Sequence, residues 1–173
     1  MEKGKSEISA GKTGAVRASF QCVDAIEISL CIEKEGLLFY ESVGKRVQDP
    51  QVREMFFRLA GEEREHIQAL QDKSRFLQPA IASRNRPKEY LQRFLGEELK
   101  GKIFPALTVS FVQNIQSDKQ ALELGIESEK RSIDVLQELL GKEKKLDVKV
   151  IFSHLLVEEK KHLFLLEDLK KQL

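Results

Sequence analysis

The sequence contains no tryptophan, two cysteines, and only ten glycines and four prolines among 173 residues. Few helix-breaking residues, together with 33% charged residues, favour long helices with charged outer faces. No apolar run approaches the ~20 residues of a membrane-spanning helix, so no contact with a membrane is expected. Lys and Arg total 29 and Asp and Glu total 28. The absence of a basic excess argues against binding nucleic acid through its phosphates.

The two cysteines, Cys22 and Cys31, are too far apart for a disulfide within one helix. Nine helical residues span about 13.5 Å, whereas disulfide-bonded cysteines have Cα atoms within about 7 Å. The sequence has no CxxC pair, which excludes a rubredoxin-type or zinc-ribbon site. Residues 1–18 also lack the apolar core of a signal peptide. Reduced thiols and a cytoplasmic location are therefore expected.

Helical periodicity divides the chain into two helix pairs separated by about forty residues. Residues 1–20 have no apolar period and are predicted to be a disordered tail. The connection contains a predicted loop, followed by a shorter helical stretch that Pro87 opens and that ends near Gly101. This pattern predicts an all-α, antiparallel four-helix bundle over residues 21–173, with one long crossover containing a short extra helix. The four long helices are predicted at 21–47, 50–76, 117–140 and 147–171.

Residues at the predicted helix ends fit these boundaries. Asp49-Pro50 separates the first two helices, because proline is favoured at the first position of a helix. Gly141 is the predicted C-terminal stop of the third long helix, and Asp147 is the predicted N-cap of the fourth.

A shift of 96 residues places the second helix pair on the first. Glu33 then falls on Glu129. In the later helix of each pair, the Glu-x-x-His motif of Glu63 and His66 falls on an identical motif at 159 and 162. Four apolar positions of the later helices match as well, namely Val52, Phe56, Leu59 and Leu70 with Val148, Phe152, Leu155 and Leu166. The chain is therefore an internal repeat of two helical hairpins.

Each long helix has an apolar stripe at heptad spacing, interrupted at one level by Glu or by Glu-x-x-His. Four unpaired carboxylates in an apolar core would cost several kcal/mol or would take up protons. Two divalent cations would balance four carboxylates, and a Glu and a His three residues apart reach the same ion from one helix face. The sequence predicts a two-metal site formed by Glu33, Glu63, His66, Glu129, Glu159 and His162.

The ligand types favour iron or manganese over copper, because copper prefers more nitrogen or sulfur ligands than one imidazole per ion. Structural zinc prefers a closed tetrahedron of Cys and His, so zinc is expected only as an adventitious occupant. Two iron ions are the predicted cofactor.

Residues near the predicted ligands have more ordinary interpretations. The chain has three histidines, and His154 lacks a Glu three residues before it, so it is expected at the surface or beside a ligand. Glu62, Glu65 and Glu158 are interpreted as solvated charges. Tyr40 is either a core residue or a hydrogen-bond donor to a ligand carboxylate. Four phenylalanines are interpreted as core, namely Phe39, Phe56, Phe57 and Phe152.

The order Glu, Glu-x-x-His, Glu, Glu-x-x-His on four helices is that of ferritin-like di-iron carboxylate proteins. The strings IEKEGLLFYESV, FRLAGEEREHIQAL and LLVEEKKHLFLLEDL resemble the ferritin-like domain of the rubrerythrin family. The resemblance covers about residues 21–172. It implies a di-iron centre that reacts with hydrogen peroxide or dioxygen, in oxidative-stress defence or iron handling, often in a homodimer. Two features differ from the family pattern: the chain has no rubredoxin module, and Ser132 stands where an additional Glu is expected.

The resulting functional hypothesis is a non-haem di-iron oxidoreductase, a peroxidase or ferroxidase. Glu63 and Glu159 are the expected bridging carboxylates, and turnover requires an external electron donor. One alternative is an iron-binding or storage module with ferroxidase chemistry and no turnover. An alternative of another class is a structural helical interaction protein with an empty site, against which the buried carboxylates argue.

Overall fold

The computed structural model describes residues 20–77 and 88–173. Within these ranges, four long helices form the bundle and two short helices lie in the crossover. They are α1 (Cys22–Gly44), α2 (Pro50–Phe76), α3 (Lys88–Arg93), α4 (Val109–Gln113), α5 (Asp118–Lys142) and α6 (Leu146–Gln172). Helix α3 runs directly into one wider, π-helical turn, Phe94–Leu99. The predicted all-α, ferritin-like bundle with one long crossover is confirmed.

Two predicted segments fall largely outside the described residues, namely the tail at 1–20 and the loop at 77–86. Phe20 is an exception, because it is described and is 7% exposed. Its backbone N–H donates to Oε2 of Glu143 at 3.1 Å, and its carbonyl accepts from Nζ of Lys145 at 3.0 Å. Phe20 therefore belongs to the folded part, where it is fixed to the turn between α5 and α6.

Side-chain caps set where two of the long helices begin. Oδ1 of Asp49 accepts from the backbone N–H groups of Gln51 at 2.8 Å and Val52 at 3.1 Å, which satisfies donors that lack a helical partner. Helix α2 therefore begins at Pro50, as predicted. Oγ of Ser117 accepts from the N–H of Gln120 at 3.1 Å and caps α5 in the same way.

Two predicted boundaries around the last turn are wrong. Gly141 lies inside α5, which ends at Lys142, because the next residue, Glu143, has an extended backbone with φ −84° and ψ 143°. Oε1 of Glu143 also accepts from the N–H groups of Lys144 and Lys145 at 2.7 and 2.9 Å. This turn starts α6 at Leu146, so Asp147 lies in the first helical turn and is not the N-cap.

The first helix also ends earlier than the predicted Val47, at Gly44. Val47 is buried, and its carbonyl accepts from Nη2 of Arg53 at 2.6 Å. A side chain of α2 therefore donates to a carbonyl that would accept a backbone hydrogen bond if α1 continued. In the crossover, Gly101 has φ 73°, a left-handed conformation that glycine adopts without steric cost. It ends the helical stretch near the predicted position.

The core lies between the two hairpins. Helix α1 packs along α2, α5 packs along α6, and α1 also contacts α6. Phe39, Tyr40, Phe56 and Phe104 form a cluster of rings with centroids 5.3–6.2 Å apart. Each fully buried ring stabilises the fold by about 1.5–3 kcal/mol relative to an exposed one. Phe57 is 42% exposed, so its predicted core position is wrong.

The long helices are amphipathic, with buried residues on one stripe and charges on the other face. Within the described part of the chain, none of them is long and apolar enough to cross a membrane.

Candidate metal centre

The structure brings all six predicted ligand residues to one level of the bundle. Two groups have candidate ligand atoms that lie within 4.8 Å of one another. The first group contains Glu63, Glu129, Glu159 and His162, and the second contains Glu33, Glu63 and His66. Glu63 is shared by both groups, so the arrangement suits two ions with one carboxylate between them.

The heptad stripes explain why these side chains face inward. Each of the four carboxylates replaces an apolar residue on a stripe that is otherwise buried. As a result Glu33, Glu63, Glu129 and Glu159 are between 0% and 2% exposed. His162 is fully buried, whereas the side chain of His66 is 20% exposed. The His66 end of the cluster is therefore the end nearer to solvent.

The two imidazoles present the same nitrogen to the carboxylates. Nδ1 of His66 lies 3.3 Å from Oε2 of Glu33, and Nδ1 of His162 lies 3.4 Å from Oε1 of Glu63. The rings are nearly parallel, with an interplanar angle of 16° and centroids 5.9 Å apart. This orientation follows the internal repeat, because each histidine occupies the same position in its helical hairpin.

Burial and mutual repulsion alter the protonation of the carboxylates. Burial and then the neighbouring Glu63 raise the pKa of Glu33 to about 9. Burial also raises the pKa of Glu63, and burial followed by the charge of Glu159 raises the pKa of Glu129 well above its ordinary value. Burial is likewise the main cause of the raised pKa of Glu159. Without cations, Glu33 therefore retains its proton near neutral pH, and the pKa values of the other three carboxyls are shifted in the same direction.

The histidines respond in opposite directions. Hydrogen bonds to Glu33 and then to Glu63 raise the pKa of His66 to about 10. Burial lowers the pKa of His162, which favours the neutral imidazole that a metal requires.

Several buried polar atoms of the cluster have no hydrogen-bond partner within the described part of the protein. They are Oε2 of Glu63, Oε2 of Glu129, Oε2 of Glu159 and both ring nitrogens of His162. Buried polar atoms are otherwise almost always paired. Carboxylate and imidazole atoms that lie within 4.8 Å of one another, several of them without partners, form the donor set that iron or manganese binds. The residues therefore fit a metal pair.

Two residues of α1 shape the cluster without being candidate ligands. The hydroxyl of Tyr40 donates a hydrogen bond to Oε1 of Glu129, which confirms the second of the two interpretations of this residue. Gly36 provides space, because a Cβ atom at this position would lie 2.9 Å from Oε1 of Glu63 and 3.2 Å from Cζ of Phe104.

A small cleft of about 30 Å³ reaches the cluster from the surface between α2 and α6. Glu33 and His66 form its inner end, and His154 and Lys73 are among the residues that line it. That volume corresponds to about one water molecule. His154 is exposed, as predicted.

The prediction that Glu62 and Glu158 are solvated charges is wrong. Their side chains are only 18% and 21% exposed, and each faces a ring nitrogen of a cluster histidine. The sequence contains a signal for this role, because the two glutamates occupy equivalent positions in the 96-residue repeat. Glu65 is exposed, as predicted.

Comparison with known proteins identifies the family. A sequence model described as rubrerythrin matches residues 24–170, which include all six residues of the cluster. Comparisons with curated proteins and with solved structures found no match. Because the match covers most of the chain and coincides with the helices that carry the carboxylates and histidines, this protein belongs to the rubrerythrin family.

Proposed function

We propose that this protein is a di-iron carboxylate protein that reduces hydrogen peroxide or dioxygen. The observation that supports the proposal most directly is the set of four buried carboxylates and two histidines at one level of the bundle. Their raised carboxyl pKa values and unpaired oxygens give the metal-free cluster a net energetic cost. Two divalent cations would remove that cost.

The two groups of candidate ligands support a proposal for two metal positions. One ion would be held by Glu63, Glu129, Glu159 and His162, and the other by the second group, Glu33, Glu63 and His66. Glu63 therefore suits a bridging role. Bridging by Glu159 stays a prediction from the sequence, since this residue belongs to one group only.

The chemistry that two bound iron ions supply is one electron each, which together match the two-electron reduction of peroxide to water. The residues of the protein balance the charge of the ions and control the access of water and substrate. The carboxylates balance the charge of the cations, and the aromatic cluster beside Tyr40 excludes water from one side. The cleft at His66 admits a molecule of the size of water or peroxide. Burial and the nearby carboxylate of Glu129 raise the pKa of the Tyr40 hydroxyl. The hydroxyl therefore keeps its proton and donates a hydrogen bond to Glu129.

Turnover in this proposal requires an external electron donor. The chain has two cysteines, too few for the four-thiolate iron site of a rubredoxin module. A homodimer and a cytoplasmic location remain predictions from the resemblance and the composition.

Anaerobic loading with Fe(II), followed by one equivalent of peroxide per chain and then by a reductant, tests the function. The expected result is rapid oxidation of two Fe(II) ions by one peroxide and repeated cycles when reductant is present. Oxidation without renewed cycles, accompanied by continued iron uptake, would favour the storage alternative. Absence of any Fe(II) binding would favour the structural interaction protein. The double variant His66→Ala, His162→Ala is the matched negative control.

A further inference from the structure

Two glutamates outside the candidate ligand set form a second carboxylate pair behind the histidines. Glu62 precedes Glu63 on α2, and Glu158 precedes Glu159 on α6. Oε2 of Glu62 lies 3.5 Å from Nε2 of His162, and Oε2 of Glu158 lies 3.7 Å from Nε2 of His66. Each glutamate therefore faces the histidine of the other helix, so the arrangement is crosswise and follows the internal repeat.

One lysine keeps both glutamates turned inward. Nζ of Lys161 lies 2.9 Å from Oε2 of Glu62 and 3.2 Å from Oε2 of Glu158. Nε of Arg58 lies 3.1 Å from the other oxygen of Glu62. Charged side chains at a bundle surface normally extend into solvent, yet both glutamates are about one-fifth exposed. The ion pairs explain this orientation, because Lys161 bridges the two helices.

The nitrogen that each glutamate faces is the one directed away from the cluster. A neutral imidazole carries one N–H and one lone pair, and an ionised carboxylate can only accept. A carboxylate beside Nε2 therefore favours the proton on Nε2 and leaves the lone pair on Nδ1. In both histidines Nδ1 faces the carboxylates of the cluster, which is where a metal would bind.

The burial of His162 makes such a partner necessary. Its Nε2 is buried, and no hydrogen bond to it is formed among the described residues. The nearest carboxylate oxygen is that of Glu62, slightly beyond the ~3.2 Å of a good N–H···O bond. A shift of about 0.3 Å in the Glu62 carboxylate would bring the contact into that range. An N–H left unpaired in the core would cost about 1–3 kcal/mol.

We propose that Glu62 and Glu158, joined by Lys161, are positioning residues that hold His162 and His66 with Nδ1 presented to the metals. The proposal rests on the metal centre proposed above, and it adds three residues to the site. It also states which residues are paired: the glutamate of α2 positions the histidine of α6, and the glutamate of α6 positions the histidine of α2.

Metal affinity tests the proposal without any activity measurement. Anaerobic Fe(II) titration against a competing chelator is compared for Glu62→Ala, Glu158→Ala and Glu65→Ala. Loss of a carboxylate behind a metal-bound histidine typically costs 10–100-fold in affinity, so each of the first two variants should weaken one of the two ions by about that factor. Glu65→Ala is the matched control, since it removes an exposed glutamate of α2 beside His66 and should bind as the parent protein does.

Rescue and spectroscopy separate positioning from a loss of structure. Glu62→Gln retains an oxygen that can accept from Nε2–H, so it should recover most of the affinity lost in Glu62→Ala. In zinc-loaded protein, long-range proton–nitrogen NMR spectra should show Nε2–H on both histidines. Glu62→Ala should perturb the Nε2–H signal of His162 and leave that of His66 close to its parent position. If an alanine variant is poorly folded, Lys161→Ala, which truncates a half-exposed side chain, provides the test, with weaker binding of both ions expected.

The outcomes distinguish this proposal from the metal centre itself. If the parent protein binds two ions and His162→Ala loses one, while Glu62→Ala and Glu158→Ala bind as tightly as Glu65→Ala, the positioning role is wrong and the metal centre stands. The crosswise assignment is also wrong if Glu62→Ala perturbs His66 in place of His162. If the parent protein binds no ion, both proposals fail.

Discussion

The hydroxyl of Tyr40, on α1, donates a hydrogen bond to Oε1 of Glu129, on α5. Both residues are fully buried, so the bond joins the two hairpins inside the core at the level of the cluster. The other oxygen of Glu129, Oε2, has no hydrogen-bond partner within the described residues. Tyr40 therefore fixes the carboxylate and leaves one oxygen directed to the candidate metal position.

Replacing Tyr40 with Phe should lower the free energy of unfolding of the metal-free protein by about 1–3 kcal/mol, because a buried carboxyl oxygen loses the hydroxyl that donates to it. Urea denaturation measures the change. The control is Tyr90→Phe, at the chain's other tyrosine, which is 39% exposed and lies in the crossover. That surface change is expected to stay within about 0.5 kcal/mol. Equal effects of the two substitutions would show that the Tyr40 hydroxyl is not a structural link.

Replacing Gly36 with Ala should weaken metal binding without unfolding the protein. The new Cβ would lie 2.9 Å from Oε1 of Glu63, so the carboxylate shared by both groups must move. Gly61→Ala is the control, because no described atom outside the adjoining stretch of helix lies within 4 Å of its Cβ position. Both substitutions gain about 1 kcal/mol of helix propensity. Fe(II) titration should show weaker binding only for Gly36→Ala, and unchanged binding in both variants would contradict the proposed role of Glu63.

The sequence predicts the bundle and the cluster well because both depend on periodicity. Heptad stripes interrupted at one level determine which glutamates face inward, and the repeat offset relates Glu33 to Glu129. The structure brings these residues together as expected. Contacts between elements are harder to predict. Glu143 terminates α5 and starts α6 through side-chain bonds to backbone N–H groups, and this capping overrides the weak signals of Gly141 and Asp147.

The misinterpretation of Glu62 and Glu158 has a similar origin. Both glutamates lie beside the apolar stripe, where charged residues usually extend into solvent. Their inward orientation depends on Lys161, whose position relative to α2 is fixed only by packing of the two helices. The helix pattern describes one helix at a time and does not contain that information.

The loaded protein should contain two metal ions per chain, because the six cluster residues divide into two groups that share Glu63. Anaerobic loading with Fe(II), removal of free metal and elemental analysis measure the ratio. Mn(II) loading serves as a second probe with the same oxygen preference. A reproducible ratio of one or zero with both metals would contradict a two-metal site.

Replacing His162 with Ala should remove one of the two ions or weaken it by at least about 10–100-fold, which is the typical loss when only an outer partner of a ligand is removed. His154→Ala is the matched control, since His154 is an exposed histidine of the same helix and lies at the cleft. It should leave the number of bound ions at two. Similar losses in the two variants would show that the assignment of His162 is wrong.

Metal-free protein should lose stability as the pH rises from about 5 to 9. The cause is the raised pKa of the cluster carboxyls. Burial and Glu63 raise the pKa of Glu33 from 4.5 to about 9. A carboxyl group with a raised folded-state pKa binds more protons in the folded than in the unfolded protein. Its contribution is therefore most favourable below about pH 4.5 and is lost as the pH rises through the folded pKa.

The two histidines modify this dependence in opposite directions. Glu33 and Glu63 raise the pKa of His66 to about 10. This histidine therefore adds to the loss of stability at pH values above its ordinary pKa of 6.5. The lowered pKa of His162 opposes the loss of stability below pH 6.5. This one group does not outweigh four carboxyls and His66.

Thermal unfolding of chelator-treated protein at intervals from about pH 5 to 9 measures the dependence, and Mn(II)-loaded protein provides the comparison. Bound cations stabilise only the folded state and require deprotonated ligands, so the loaded protein should lose the downward trend. Replacing Glu129 with Gln should flatten the metal-free curve as well, because it removes a titrating carboxyl from the centre of the cluster. A metal-free curve that is flat, or that rises with pH, would mean that the four glutamates do not converge in solution.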